Sequence, residues 1–407
     1  MLTEETLREC TRYMMGSIRK ICEEFGPRPP GSAGERRCQE FLRDELAEAG
    51  YVPVLEPFPV SQTGFMAAPA ITGWLCLLSI ACFWINPWLA TALLIAGTFV
   101  FVNEIAGYRH VLTPIFPRHT SHNVSARMAP SGTLKRRIIL SGHADAALEW
   151  RYQQLFPKYF MYFGQVAAVS AVYLVLSSLA TAVFHGGHGP REGFWFFVGL
   201  SQLLALPGAF ITATFTRFGT VSPGAVDNLS GALTAVGLAR EMKKAGIVPE
   251  NTEIVFLVTG SEEAGLCGAT AFTQRHKQEW TDVETVFVGL ESFRDLDYLM
   301  AYNRDLHGTV RHHPDVCMLL QNALLRCGLV RKFGSVHVGA SDAAAVTRAG
   351  VPAALLCGMD TRPAHYYHCR RDSWEILDEE CLFKALQVVT TALEEYDRNG
   401  LPKAAKN

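Results

Sequence analysis

The stretch Ile138-Ile139-Leu140-Ser141-Gly142-His143-Ala144-Asp145 joins an apolar run to two polar side chains. A short apolar run of branched residues predicts a buried β-strand, here ending near His143. In open α/β sheets, ligands collect at the carboxyl ends of the strands. The stretch therefore predicts a site at a strand end, where Asp145 is close enough to accept the free ring N–H of His143.

Two further apolar runs end in acidic side chains. The run from Glu253 to Thr259 is followed by Ser261-Glu262-Glu263, and the run from Thr285 to Leu290 is followed by Glu291. A helix is predicted from Ser230 to Lys244, between the first two strands. Alternation of buried strands with helices predicts an α/β fold, with a mixed, mostly parallel central sheet flanked by helices.

Two loops supply further polar side chains, Gly224-Ala225-Val226-Asp227-Asn228 and Tyr367-His368-Cys369-Arg370-Arg371-Asp372. Asp227 precedes the predicted helix, so a helix-capping role is an alternative to metal binding. Glu262 and Glu263 repel each other unless a cation or solvent compensates them. Two imidazoles with several carboxylates suit a divalent ion, with zinc as the default. One acid in excess of the ligands suits the proton acceptor of a metallohydrolase.

The order of these segments resembles the M28 family of zinc peptidases. The turn Gly26-Pro27-Arg28-Pro29-Pro30-Gly31-Ser32 is similar to the family's N-terminal turn. The segment Gly339-Ala340-Ser341-Asp342-Ala343-Ala344-Ala345 is similar to its late strand–helix segment. The resemblance covers nearly all of the chain outside two hydrophobic insertions, and it implies a peptidase that hydrolyses short peptides, with aminopeptidase activity expected.

The resemblance also implies a ligand set for two Zn²⁺ ions. By position, His143 and Glu291 are ligands of one ion, Glu263 and His368 are ligands of the other, and Asp227 bridges both. Other divalent metals are compatible with the same donors.

The remaining two acids receive catalytic roles by the same resemblance. Glu262 is expected to be the general base, and Asp145 is expected to orient His143. Glu291 departs from the family pattern, since family aminopeptidases usually have Asp at this position. That departure keeps three other reactions open: carboxypeptidase, amide deacylase and glutaminyl cyclase. A non-catalytic membrane receptor is a further alternative, although such a protein is expected to lose ligands. Four other histidines are interpreted as solvated or capping: His185, His188, His312 and His313.

The insertions divide the chain into a catalytic part and two hydrophobic hairpins. The hairpins are predicted at residues 66–103 and 159–215, and a discontinuous catalytic domain at 1–65, 104–158 and 216–407. Their four apolar runs approach or reach the roughly 20 residues that a membrane-spanning helix needs, so they are predicted to contact the lipid bilayer. Buried helices of a soluble core are the alternative. A channel is disfavoured because the runs carry few polar groups.

The net charge and the cysteines limit the possible partners and the cellular location of the protein. The net charge of −2 gives no indication of nucleic-acid binding. The 11 cysteines contain no Cys-x-x-Cys pair, and no signal peptide is expected at the N-terminus, which favours a cytosolic setting. Basic residues concentrate on one side of the predicted spans, and the positive-inside rule then predicts a multi-pass protein of the cell (inner) membrane with its catalytic domain in the cytoplasm. The basic residues on that side are Arg109, Arg118, Arg151, Lys158 and Arg217, against Arg191 on the other.

Overall fold

The computed structural model describes residues 2–403, which form two compact units. Unit 1 comprises the described parts of Met1–Gln62, Arg118–Ala147 and Val221–Asn407. Unit 2 comprises Thr63–Pro117 and Leu148–Thr220. The outermost ends of the predicted catalytic domain, residue 1 and residues 404–407, lie outside the described residues.

The strands of the described residues form one large sheet and one small one. They are β1 (Val54–Val60), β2 (His119–Met128), β3 (Arg136–His143), β4 (Leu148–Trp150), β5 (Thr216–Val221), β6 (Thr252–Thr259), β7 (Glu284–Glu291), β8 (Leu299–Asp305), β9 (Val310–Arg311), β10 (Gly334–Ser335) and β11 (Ala353–Gly358).

The large sheet belongs to unit 1 and has the order β1-β2-β6-β3-β7-β11-β8-β10, with β9 paired to β8. Its centre, from β6 through β3 and β7 to β11, is parallel. Strands β1 and β2 are antiparallel to each other, β2 is antiparallel to β6, and β8 is antiparallel to β11. The predicted α/β class with a mixed, mostly parallel sheet is therefore confirmed.

The helices are α1 (Glu4–Glu24), α2 (Ala33–Glu48), α3 (Gly64–Phe83), α4 (Pro87–Phe101), α5 (Arg151–Leu155), α6 (Phe160–Phe184), α7 (Gly193–Ser201), α8 (Leu206–Ala213), α9 (Ser230–Lys244), α10 (Cys267–His276), α11 (Pro314–Arg326), α12 (Asp342–Arg348) and α13 (Glu379–Asn399). The main core of unit 1 lies between the sheet and α1, α9, α11 and α13. Helix α12 contacts β7 and β11. The central strands are buried along almost their whole length, which explains why their sequences read as continuous apolar runs.

Two glycines allow α9 to approach the ends of the central strands. A Cβ on Gly231 would lie 2.0 Å from the carbonyl oxygen of Leu290, and a Cβ on Gly142 would lie 2.3 Å from the backbone nitrogen of Ala232. Neither position has room for a side chain. This close packing places the loop before α9 beside the carboxyl ends of β3 and β7.

Unit 2 contains four helical segments that are long and apolar enough to cross a membrane. They are Gly64–Phe83, Pro87–Ala106, Pro157–Phe184 and Gly193–Ala213. The second segment continues past Asn103 and Glu104 through a π-helical turn, which brings it to 20 residues. Many large apolar side chains on these segments are exposed, including Phe99, Leu176 and Phe197. Association with a membrane accounts for such an apolar surface.

Candidate metal centre

The predicted site residues converge at one edge of the unit 1 sheet. His143 ends β3 and Glu291 ends β7, while Glu262 and Glu263 lie just after β6. Asp227 occupies the irregular turn before α9. His368 lies in the loop between β11 and α13. Parallel strands deliver their carboxyl ends to the same edge, so segments far apart in sequence meet there.

Asp227 lies between the two imidazoles. Its Oδ1 is 3.3 Å from Nε2 of His143, and its Oδ2 is 3.2 Å from Nε2 of His368. The buried carboxylate therefore presents one oxygen to each histidine, which is the arrangement of a ligand shared by two cations.

Each histidine also has a carboxylate of its own. Glu291 Oε1 is 3.1 Å from Nε2 of His143, and Glu263 Oε1 is 3.1 Å from Nε2 of His368. Two groups of ligand atoms result, His143–Asp227–Glu291 and Asp227–Glu263–His368, and the atoms of each lie within 4.8 Å of one another. His143 also forms such a group with Glu262 and Glu263.

The donor set fits a divalent cation. Asp227 Oδ2 and Glu263 Oε1 are buried oxygens that both face the same ring nitrogen, Nε2 of His368, which has at most one hydrogen to donate. Buried carboxylate oxygens are costly unless a charge or a donor compensates them. Imidazole nitrogens with carboxylate oxygens are zinc ligands, and the groups His143–Asp227–Glu291 and Asp227–Glu263–His368 each reach the three protein ligands of catalytic zinc sites.

The surrounding carboxylates also raise the pKa values of the two histidines. Burial opposes a positive charge on His368, but Glu263 and Asp227 outweigh it and raise the pKa of His368 to about 9. Burial likewise opposes charge on His143, while Glu291, Asp145 and Asp227 raise its pKa well above the ordinary value. The carboxylates that would share a cation with the two imidazoles are thus the cause of both shifts.

Glu262 is the acid that is not needed as a ligand once Glu291 is paired with His143 and Glu263 with His368. Its Oε2 is 3.9 Å from Nε2 of His143, and it has no place in the group around His368. Burial is the main cause that raises the pKa of Glu262 well above its ordinary value, and Glu263 adds to the shift. An acid with a raised pKa is suited to accept and return a proton near neutral pH.

Two buried aspartates orient the backbone that carries these side chains. Asp145 accepts hydrogen bonds from the N–H groups of Glu262 and Glu263, both at 3.0 Å, and its Oδ1 is 3.3 Å from Nδ1 of His143. Asp372 accepts from the N–H groups of Val226 at 2.7 Å and Asp227 at 3.0 Å. Asp145 was predicted to orient His143, whereas the contact of Asp372 with the Asp227 turn was missed. The only signal for Asp372 was its place four residues after His368.

Arg28 is a second residue that the sequence analysis gave no role. Its side chain is buried, with Nε donating to the carbonyl of Ala144 at 2.9 Å and Nη2 donating to the carbonyl of Gly224 at 3.0 Å. The N-terminal turn thereby connects the loop after β3 to the loop that carries Asp227.

A cleft adjoins the site. Its lining includes the apolar side chains of Val336, Val338, Leu355 and Met359 together with the acids described above. Tyr367 also lines the cleft and stacks on the ring of His368, with 3.8 Å between ring centroids. None of the described residues that line the cleft is Lys or Arg.

The interpretation of the other histidines is wrong for His312. His185 and His188 are exposed, and His313 precedes the first turn of α11. His312 is instead buried, with Nε2 3.2 Å from Asp305 and Nδ1 2.8 Å from Thr347. A His beside Pro is typical of an exposed helix start, but the tertiary partner Asp305 overrides that local pattern.

Known proteins resemble this chain in sequence and in fold. Residues 212–393, which include Asp227, Glu263, Glu291 and His368, match the model of peptidase family M28. The resemblance to family M28 is confirmed. A curated relative, the vacuolar membrane protease of Lodderomyces elongisporus, is 27% identical over 184 residues, which are 44% of this chain and 18% of that protein. The chain thus matches less than a fifth of that relative's length.

Solved structures share the fold over nearly the whole chain. The aminopeptidase from Aneurinibacillus sp. strain AM-1 has a TM-score of 0.57 at 16% identity, and the match covers 97% of this chain and 96% of that one. The zinc aminopeptidase BSAP from Bacillus subtilis has a TM-score of 0.57 at 15% identity, with 97% and 96% covered. The glutaminyl cyclase from Fimbriiglobus ruber has a TM-score of 0.56 at 14% identity, with 94% of each chain covered.

Proposed function

We propose that the chain is a membrane-anchored metallopeptidase that removes residues from the N-termini of short peptides. One observation carries the proposal: Asp227 presents its two oxygens to two imidazoles, each of which has a carboxylate of its own. Each of two cations would thus have two ligands of its own, one His and one Glu, and would share Asp227 with the other cation.

We infer that the cations are zinc. His143 and Glu291 would hold one ion, Glu263 and His368 the other, and Asp227 both. Zinc bound there supplies Lewis-acid polarisation of the peptide carbonyl and lowers the pKa of a nearby water to about 7. The fit of the donors supports this assignment, as does the zinc aminopeptidase among the structural neighbours.

The protein side chains then perform the proton transfers. Glu262 accepts a proton from the attacking water and returns it to the nitrogen of the leaving amine. Burial favours both steps, because a carboxyl group with a raised pKa holds the proton between them. Asp145 keeps Glu262 and Glu263 in fixed relative positions through their backbone N–H groups.

The charge around the cleft supports an aminopeptidase over a carboxypeptidase. Recognition of a substrate carboxylate normally uses Arg or Lys, and the described lining residues include neither. The apolar walls are suited to an uncharged side chain of the substrate's first residue.

Glutaminyl cyclase is the second candidate. Two observations favour it: the glutaminyl cyclase among the structural neighbours, and Glu291 at the position where the peptidases usually have Asp. The two reactions differ in their products. An aminopeptidase releases a free amino acid, whereas a cyclase leaves the peptide chain intact and releases ammonia.

The assay that tests the proposed function follows from this difference. Detergent-purified, zinc-loaded protein is incubated with peptides that begin with Leu, Ala or Gln, and with the same peptides after N-acetylation. Release of the first residue from free peptides alone is expected. Ammonia release restricted to Gln peptides would favour the cyclase, and cleavage of acetylated peptides would contradict an aminopeptidase. Glu262→Gln serves as the inactive control.

We also propose that unit 2 anchors the enzyme and that the catalytic residues lie in the cytoplasm at the cell's inner membrane. Residues from three separate segments build one site, so those segments share a side of the membrane. Basic residues near the candidate spans favour the cytoplasmic side for them. A C-terminal reporter is expected to be active in the cytoplasm, and activity on the other side would contradict this orientation. Asn123-Val124-Ser125 has the sequence of an N-glycosylation site. It cannot report the orientation, because the Asn123 side chain is buried and donates to the carbonyl of Gly268.

A further inference from the structure

Ser261 adopts an unfavourable backbone conformation directly before the acid pair. Its φ of +51° lies in the left-handed region, where a Cβ crowds the backbone and glycine is the usual residue. The turn Glu262–Ala264 begins from this conformation. The direction in which Glu262 and Glu263 leave the backbone thus depends on holding Ser261 there.

Three successive N–H groups in this turn donate to two buried carboxylates. Those of Glu262 and Glu263 donate to Asp145, as described above. That of Ser261 donates to Oε1 of Glu35 at 2.6 Å, and the Ser261 hydroxyl lies 3.0 Å from the same oxygen. Glu35 therefore completes a set of contacts that fixes the whole turn, and no step of the proposed mechanism uses it.

Glu35 is not explained by a role in its own helix. It is the third residue of α2, and Ser32-Ala33-Gly34-Glu35 is a capping-box sequence. In a capping box the Glu returns to the N–H of the cap residue, but here the Ser32 N–H donates to the carbonyl of Pro29. The Glu35 carboxylate turns instead toward Ser261 and also accepts from the Gly31 N–H at 2.6 Å and the Ser121 hydroxyl at 2.9 Å.

The surroundings of Glu35 fix its position. Burial, together with the charge of Asp145, raises the pKa of Glu35 to about 8, against the effect of its hydrogen-bond donors. Both carboxyl oxygens accept a backbone N–H, one from Ser261 and the other from Gly31, so the geometry is that of an acceptor on both sides. Donors from the N-terminal turn, from β2 and from the turn after β6 all converge on it. A carboxylate accepts all of them, whereas an amide turns one donor toward other donors.

We propose that Glu35 is a positioning residue for Glu262 and Glu263, acting through the backbone of Ser261. Its effect on turnover rests on the proposed hydrolytic function, but its effect on the turn does not. Glu35 touches none of the five proposed metal ligands in the described contacts.

The test compares Glu35→Gln with Glu241→Gln. Glu241 is also a buried glutamate, but it lies on α9, and its ion pair is with Lys244. Glu35→Gln is expected to lower kcat by about 10–100-fold, as loss of an outer contact to a metal site typically does, with KM little changed and zinc content retained. Glu241→Gln is expected to leave kcat unchanged.

A second substitution separates positioning from a general loss of stability. Glycine adopts the left-handed conformation without a steric penalty, so adding Ser261→Gly to Glu35→Gln is expected to restore part of the lost kcat. Glycine at a positive-φ position also relieves strain in the folded protein, so the melting temperatures of both variants are measured beside kcat, and recovery of kcat without a matching rise in melting temperature identifies positioning. Full kcat in Glu35→Gln, or no recovery in the double variant, would overturn the inference.

Hydrogen exchange provides a readout that needs no activity. Amide exchange of the segment 259–266 is expected to become at least about tenfold faster in Glu35→Gln and to stay unchanged in Glu241→Gln. If the wild-type chain proves inactive while exchange responds in this way, the proposed function fails and the role of Glu35 in the turn stands. Unchanged exchange in a folded Glu35→Gln protein would overturn that role.

Discussion

Replacing Asp372 by Asn tests how the Asp227 turn is held. In the wild type, the two carboxylate oxygens of Asp372 accept the N–H groups of Val226 at 2.7 Å and Asp227 at 3.0 Å. Asn keeps one acceptor and turns its NH₂ group toward the other N–H. The substitution thus loses one of the two hydrogen bonds and leaves a buried donor facing a donor.

The expected loss of zinc affinity depends on how differently the substitution affects the metal-bound and the metal-free protein. A buried donor that loses its acceptor costs about 1–3 kcal/mol. Only the part that orients Asp227 toward the metal alters affinity, because the rest stabilises both states. We therefore expect zinc affinity to fall by about 10–100-fold, as is typical for partners behind a ligand, which corresponds to about 1.4–2.7 kcal/mol.

The assay is a zinc competition titration with a fluorescent chelator on folded, detergent-purified protein. Asp378→Asn is the matched control, since Asp378 accepts the N–H of Cys381 at the start of α13 and Asn caps helices equally well. The control is expected to bind zinc like the wild type. Wild-type affinity in a folded Asp372→Asn protein would refute the idea that Asp372 orients the shared ligand.

Four further outcomes are expected. Glu262→Gln should keep zinc and fold while losing on the order of 10²–10⁴ in turnover, whereas Glu263→Gln should lose zinc; the reverse pattern in metal analysis would exchange their roles. Zinc affinity should rise with pH toward about 9, because the metal must displace a proton from His368, whose pKa is raised to about 9 by its carboxylate neighbours against the effect of burial. The same raised pKa means that the free energy of unfolding of the metal-free chain should fall as pH rises from about 6.5 toward 9. A melting temperature that does not change with pH in calorimetry would contradict this expectation, and a zinc affinity that does not change with pH would contradict the previous one. Gly231→Ala should lower the melting temperature, because the new Cβ meets the Leu290 carbonyl, while Gly16→Ala, with open space around it, should not.

The elements that build the site were predictable because their signals are local. Continuous apolar runs mark β3, β6 and β7, since these strands are buried on both faces. The helix predicted from Ser230 to Lys244 has the same bounds as α9. Polar residues at the ends of parallel strands must meet at one edge, so strand prediction alone brings His143 near Glu291.

The contacts that hold the loops of the site in place could not be predicted from local sequence patterns. Arg28, Glu35 and Asp372 act on loops more than one hundred residues away along the chain. Their local sequences indicate a turn, a capping box and a polar loop, and each pattern is satisfied by ordinary surface structure. Only the packing of the central sheet and its flanking loops assigns them to the metal centre.

Metal stoichiometry tests the central claim most directly. The protein is purified without chelators, loaded with zinc, freed of excess metal by gel filtration, and analysed for metal per chain alongside an Asp227→Ala variant. Two ions need the shared ligand, so the account predicts about two zinc ions per wild-type chain and a clear loss in the variant. A wild-type chain that retains one ion or none, or a variant that still retains two, would contradict a dinuclear site built around Asp227.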